Sequence, residues 1–434
     1  MSRNGRQSGQ VMLMGLVLCG VGVLAWGLML ELGRRVHDQS SLNRATDAAS
    51  YTAALIQARA LNLHAYLNRA QIAHQLGMAH VIAVATAAQY RAKLARQARI
   101  RNPPPSLIGA FFGPQHALAY TSALQGGISD FDSMQTFRDA FLRHERHVHQ
   151  VIAQVRQLQI KDFERQREQA IHQVLIANVG QSGGALRGST LKQLGLKVVL
   201  TVDDSPGLVV QQSANTPIWR DFLSTLVEQY DFLSERNHIK RNVWIINPRC
   251  PFKRHELRRK GHVHLGLDGQ WRSEESLSFH ALRYNKIVGC YHREYPMGWA
   301  SLSTQGAPQS LELAGIELPD FSRQVFWRWA KTQSSGLSLT QLFGRNVETK
   351  WTSKGLGHYA ALAKGRDDKP VRIALNVSQR LNTHSVISAV ATAQAYFQYP
   401  TQIPSRSLTR AQQVSPSLFE PYWRATLIPN LSSP

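Results

Sequence analysis

Hydrophobic and polar positions divide the chain into four stretches. The first is Val11 to Leu30, VMLMGLVLCGVGVLAWGLML, twenty apolar or small residues without a charge. At helical rise this run reaches about 30 Å, the thickness of a bilayer core. It predicts a transmembrane anchor over residues 11–32 behind a short polar tail, residues 1–10, expected in the cytoplasm. No second run of this kind follows, so the rest is expected on one side of a membrane.

From Leu32 to about Arg101 the chain is rich in Ala, Leu, Gln and Arg and contains no proline. These are good helix formers. Leu42, Ala45, Ala49, Ala53, Ile56, Ala60, Leu63, Leu67 and Ala70 recur at steps of three and four, a narrow stripe of coiled-coil type. Leu42, Ala45, Ala49, Ile56, Leu63 and Leu67 are read as an assembly stripe. Asn102-Pro103-Pro104-Pro105 stops the helix. After a glycine-containing linker, about 102–129, a second helical pattern runs from Asp130 to Asn178, with Phe137, Phe141, Val148, Val155 and Ile171 among its apolar positions. Residues 33–179 thus predict a long helical hairpin.

Gly180, Gly183, Gly184 and Gly188 mark a boundary, and the period then changes from helical to alternating. Val198, Leu200 and Val202 alternate, as do Val371, Ile373, Leu375 and Val377, and then Ala389 to Ala395. Pro217 to Ile239 returns to a helical pattern. RNVWIINP reads as a strand, and HVHLGL with Asp268-Gly269 and QWRS as a hairpin. The expected fold class is α+β: an anchor helix, the hairpin, and a periplasmic domain over residues 190–434 with an antiparallel sheet.

Composition adds charge. Net charge is +22, which favours anionic partners such as wall polymer or lipid headgroups. Arg3 and Arg6 precede the apolar run and no A-x-A site follows it, so an uncleaved signal anchor is expected. Lysine and arginine counts flank the run on both sides and do not set its orientation. Cys250 and Cys290 form an even pair suited to a disulfide outside the cytoplasm, or are two separate buried thiols. Cys19 lies in the anchor. Lys253, Arg254, Arg258, Arg259 and Lys260 form the densest basic cluster, read as a solvated turn or anionic-surface contact rather than a specific nucleic-acid site.

Catalytic patterns are thin. His144, His147 and His149 lack the H-E-x-x-H spacing of a zinc protease. His262 and His264 share one face of a strand without an accompanying carboxylate motif. Gly180 to Gly184 satisfies G-x-S-x-G around Ser182, but a helical segment precedes it where a nucleophile elbow needs a strand. Asp203 and Asp204 are adjacent and point apart on a strand. No phosphate loop or dinucleotide motif occurs. A membrane-anchored envelope hydrolase using Ser182, His262 and His264, and a basic module binding DNA or another anionic polymer, are the alternatives to an association role.

Several stretches carry a resemblance. Ser8-Gly9-Gln10, the apolar run, Leu32-Gly33-Arg34 and Leu42-Asn43-Arg44-Ala45-Thr46-Asp47-Ala48-Ala49 resemble the N-terminal module of TadE/TadG-like Flp pilus-assembly proteins. Gln57 to Asn62 and Tyr66 to Ala70 resemble a larger branch of them. So do Ala395-Tyr396-Phe397 with Pro400, and Ser417-Leu418-Phe419-Glu420-Pro421-Tyr422-Trp423-Arg424-Ala425. Met14 stands where processed pilin precursors carry Glu, so a retained anchor is expected. The resemblance implies a single-pass inner-membrane protein with pilus or secretion-system subunits as partners. It implies no enzymatic activity, cofactor or metal.

Overall fold

The computed structural model describes residues 8–125, 130–182, 190–202, 208–213, 217–306, 325–331, 348–363, 369–382, 385–398 and 417–429. Gly126, Gly127, Gly183, Gly184, Gly188, Asp203, Asp204 and Pro400 lie outside the described residues. The fold is α+β, with a long N-terminal apolar helix and antiparallel sheets in the C-terminal part.

Helix α1 runs from Ser8 to Arg99, 92 residues. The proline-free, alanine-rich composition sustains it, and Asn102-Pro103-Pro104-Pro105 ends it, with Arg101 at φ 50°. The expected loop after it carries two short helices, α2 (Pro105–Phe112) and α3 (Pro114–Ser122). Each begins on a proline, where the missing N–H has no intrahelical partner to lose. Gly113, at φ 103°, breaks one from the other. Helix α4 (Asp130–Arg146) passes through a π-helical turn, His147–Ile152, into α5 (Ala153–Ser182).

The strands are β1 (Leu196–Val202), β2 (Val210–Ser213), β3 (His238–Arg241), β4 (Glu256–Leu265), β5 (Trp271–Asn285), β6 (Gly289–Gln305), β7 (Glu348–Thr352), β8 (Tyr359–Leu362), β9 (Val371–Asn382), β10 (Ser385–Phe397) and β11 (Trp423–Ile428). Helices α6 (Pro217–Glu228) and α7 (Phe326–Lys331) lie between them in sequence. The chain forms two compact units that do not follow chain order. One holds residues 1–66, 156–211 and 360–434, the other residues 67–155 and 212–359.

In the first unit β1-β9-β10-β11 form an antiparallel sheet. The register sets Ile373 opposite Ala393, Leu375 opposite Ala391 and Val377 opposite Ala389. Large side chains on β9 thus face small ones on β10, and the buried face accepts Leu42, Ala45, Ala49 and Ala53 of α1 with Ile171 and Leu175 of α5. Small residues on both sides let helix backbone approach sheet backbone. The Ser50 hydroxyl lies 3.4 Å from the carbonyls of both Ile373 and Ala391. Further along α1, the Asn62 amide donates to the Trp423 carbonyl at 3.0 Å and accepts from the Trp423 N–H at 2.9 Å. One side chain therefore substitutes for a neighbouring strand at the start of β11.

The second unit is built on β3-β4-β5-β6-β7, antiparallel except for the parallel pair β6–β7. Tyr90, Leu94 and Ala98 of α1 share its core with Phe112, Tyr120, Phe279, Tyr295, Phe326 and Trp329. The Trp271 indole donates to the Gln75 side-chain oxygen at 3.0 Å.

Two sequence expectations are corrected. The helix expected from Pro217 to Ile239 ends at Glu228. Asp231, Ser234 and Asn237 follow, residues whose side chains favour turns. RNVWIINP is not a strand beyond Arg241. The Asn242 side chain donates to the Trp244 carbonyl and accepts from the His255 N–H, and Asn247 accepts from the Arg249 N–H. These local bonds replace ladder bonds despite the β-favouring composition.

Asn62→Ala should lower the unfolding free energy by about 1–2 kcal/mol, since two half-buried backbone groups lose their partner. Asn43→Ala, on the exposed face of the same helix, should stay within about 0.5 kcal/mol. Chemical denaturation of both variants distinguishes them.

Candidate functional site

Among the described residues, one helix is long and apolar enough to cross a membrane. Leu13, Leu16, Leu24, Trp26, Leu28 and Met29 are each about 70% exposed, so among the described residues nothing covers this segment. Gly15, Gly20, Gly22 and Gly27 have open space where a Cβ would stand. Glu31 and Arg35 close the apolar segment with an exposed ion pair at 3.2 Å. Cys19 is an exposed free thiol.

The stripe read for assembly has another use. Leu42, Ala45 and Ala49 are fully buried in the unit's own core, against β9 and α5. Ile56, Leu63 and Leu67 are half-buried. A stripe periodicity fixes which face is buried, not what covers it, and the chain's own sheet covers Leu42, Ala45 and Ala49.

The basic cluster is likewise divided, and it is strand rather than turn beyond His255. Arg258, Arg259 and Lys260 lie on β4 and are paired. Arg258 contacts Glu256 at 2.6 Å, Arg259 contacts Glu275, and Lys260 lies 3.7 Å from Glu274. Glu275 is 2% exposed and also receives Arg236 at 2.5 Å. The Arg259 guanidinium stacks over the Tyr90 ring at 4.2 Å. A Cβ at Gly261 would come within 2.6 Å of a Glu275 carboxylate oxygen, so glycine leaves room for that carboxylate. Burial works to raise the Glu256 carboxyl, but hydrogen bonds from Arg241 and Arg258 outweigh it and hold the group below the usual carboxylate range. Only Lys253 and Arg254 lie off the strand.

Those two belong to a loop joined covalently to a hairpin. Cys250 and Cys290 are disulfide-bonded, with Cα atoms 5.9 Å apart. The bond ties residues 242–255 to the β5–β6 turn. Lys253 Nζ donates to the Cys290 carbonyl at 2.9 Å, and His292 Nε2 is 2.7 Å from the Arg254 carbonyl. Trp244 stacks on Phe111 at 5.4 Å.

Among the described residues, His144 and His147 meet His74, whereas His149 does not. His74 and His144 Nδ1 atoms are 2.9 Å apart, and His147 stacks on His74 at 5.0 Å where the π-helical turn begins. Burial and the neighbouring rings lower both His74 and His144. His149 instead meets the Gly355 carbonyl at 2.9 Å. His262 and His264 stack at 4.8 Å on β4. Among the described residues no group of His, Cys, Asp or Glu is arranged to hold a metal ion. Ser182 ends α5 and has no strand before it. A notch of about 390 Å³ beside α2 and α3 is lined by Pro105, Ser106, Gly109, Pro114, Ala117, Leu118 and Thr121, none titratable.

Buried polar groups on α1 escaped sequence reading. Gln57 and His64 are fully buried, and their side-chain nitrogens and the Gln57 oxygen have no hydrogen-bond partner among the described residues. Burial, and secondarily Arg156, lower His64 to about 4. The spacing Gln57, His64, Gln71 is a seven-residue step along the buried face, the only sequence trace of this row. No family model, curated protein or solved structure matches the chain.

His64 is neutral in the folded state, whereas in the unfolded chain it takes up a proton near the ordinary histidine value of 6.5. Stability from this group is therefore present above pH 6.5 and is lost as pH falls toward 4. Between pH 7 and pH 5 the loss should be about 2 kcal/mol. His64→Gln should flatten that slope in denaturation curves taken at both pH values. Breaking the disulfide, whose cysteines are 40 residues apart, should cost about 4 kcal/mol in the chain-entropy model. Denaturation of Cys250→Ser/Cys290→Ser beside the oxidised wild type measures it.

Proposed function

We propose that this chain is a single-pass membrane component of a Flp/Tad-type pilus-assembly or secretion system, acting by protein–protein association. The observation that carries it is the exposed apolar segment at the start of α1, continuous with the helix that forms the core of the folded part. An apolar face of that length, uncovered among the described residues, is satisfied by lipid. The stretches that resemble TadE/TadG-like proteins support the pathway. Gln57 to Asn62 and Ser417 to Ala425 contribute to one core, with Ala58, Leu61, Leu418 and Trp423 buried together. They meet directly through the two Asn62–Trp423 hydrogen bonds.

In this reading residues 11–32 stay in the inner membrane and the chain after them stands in the periplasm, where an oxidising environment supports the Cys250–Cys290 bond. The stripe of α1 organises the chain itself, so contacts with other subunits fall to the membrane segment and the outer surfaces. The segment's glycines suit close packing between membrane helices.

Full-length protein should sediment with membranes and resist alkaline carbonate extraction. Removing residues 11–32 should release it. Deletion of the whole chain should abolish surface pili or secretion through the system. Recovery of the intact full-length chain in the soluble fraction would overturn the membrane reading, and wild-type piliation and secretion after deletion would overturn the assembly reading.

A further inference from the structure

One end of the five-stranded sheet carries a surface of unusual composition. The β4–β5 register pairs Glu256 with His280, and β5 then continues to Asn285 before the turn into β6. The loop 242–255, which leads into β4, therefore leaves the sheet at the same end as the β5–β6 turn. The Cys250–Cys290 bond fixes the two together.

This end is apolar at its tips. Phe252 is 96% exposed and Ile287 91%, with Val288 and Val243 beside the same two segments and mostly exposed. Side chains this exposed project outward rather than line a cleft. Phe252 lies two residues after Cys250, and Ile287 three residues before Cys290, so one covalent bond presents both. The flanking charge has a single sign. Residues 242–255 and 281–293 contain Arg249, Lys253, Arg254, Arg283, Lys286 and Arg293 and no Asp or Glu. Arg249 stacks over Tyr284 at 5.1 Å, and Lys253 is held by the Cys290 carbonyl, so these cations are positioned beside the apolar tips. The cations on β4 are instead each set against a carboxylate, Arg258 on Glu256, Arg259 on Glu275 and Lys260 near Glu274.

We propose that this disulfide-clamped end is a docking surface for an anionic lipid bilayer. Protruding Phe, Ile and Val side chains suit the boundary between headgroups and acyl chains, and the cations around them suit anionic headgroups. Side chains this exposed can enter a deformable bilayer without a pocket shaped to receive them. The disulfide holds both segments in the docking arrangement before contact, so little ordering is required on binding. The surface is distinct from the apolar segment of α1 and does not depend on the pilus-assembly reading.

The test uses the full-length chain, Cys19→Ala/Ile287→Cys, labelled at residue 287 with an environment-sensitive nitrobenzoxadiazole dye. The Cys250–Cys290 bond is left closed, and an unchanged thermal melt confirms the fold. The protein is reconstituted into vesicles of phosphatidylcholine with or without phosphatidylglycerol. The expected result is brighter, blue-shifted emission with phosphatidylglycerol, reversed by high salt, and aqueous emission in phosphatidylcholine alone. Lys253→Gln/Lys286→Gln should raise the phosphatidylglycerol content needed for half the response, and weaken binding by roughly tenfold. Phe252→Ser/Val288→Ser, which leaves the charge unchanged, should weaken it by about tenfold or more. Aqueous emission in both vesicle types would overturn the proposal and leave the surface to a protein partner. An undiminished response in the Phe252→Ser/Val288→Ser chain would overturn it as well. Neither outcome bears on whether the chain is needed for pilus assembly.

Discussion

The structure depends on how closely α1 can lie against a sheet. Ala45, Ala49 and Ala53 on the helix meet a sheet face in which Ala389, Ala391 and Ala393 alternate beneath the helix and Ile373, Leu375 and Val377 fill the adjoining strand. A larger residue at any of these alanines would lift the helix and open the core, because interiors packed to this density do not absorb extra methylenes without strain. The Ser50 hydroxyl can reach two strand carbonyls only because nothing bulky intervenes. Since α1 is unbroken from Ser8 to Arg99, its apolar segment and its core positions are one element. Whatever fixes the orientation of the apolar end therefore acts on the packed face through continuous helix.

Much of the secondary structure was legible in the sequence, because periodicity reports burial. Alternation marked β1, β9 and β10, the Asp268-Gly269 turn marked the β4–β5 hairpin, and the triple proline marked the end of α1. Failures fell where a local bond overrode composition. Val243, Trp244 and Ile245 favour a strand, yet the Asn242 side chain occupies the groups a ladder would use. The segment from Arg254 to Lys260 reads as a basic surface only while the carboxylates are unseen. Glu274 and Glu275 are fifteen residues or so away in sequence and come beside it through the antiparallel register. The stripe on α1 was legible as buried, but its partner was not, since β9 follows it by more than three hundred residues. The two units interleave in the same way, and no boundary in composition announces that.

Burial of polar groups sets a second constraint. Along α1, Gln57 and His64 are enclosed without hydrogen bonds among the described residues, at a cost in free energy that the surrounding packing must offset. Gln71 and Gln75 are buried on the same helix but bonded, to the Gly357 carbonyl and from the Trp271 indole. The second pair ties helix to sheet with direction as well as contact, which apolar packing alone does not supply. The first pair gives the fold a dependence on pH through His64, whose neutral form alone suits its surroundings.

The residues that carry the family resemblance act mainly in packing. Ala45 and Ala49 lie against the sheet, Asn62 holds the start of β11, and Leu418 and Trp423 fill the core beside Ala58 and Leu61. They belong to the first unit, and their roles there are structural. Together these positions join an apolar helix to a sheet. The second unit owes its particular features to residues outside that likeness: the Cys250–Cys290 bond, the arginines gathered on Glu256 and Glu275, and the exposed Phe252 and Ile287. Buried carboxylates there take up the cations of β4, whereas the loop and turn at the sheet's end hold cations beside bare apolar side chains. Cations set beside exposed Phe252 and Ile287 give that end of the sheet a surface chemistry of its own.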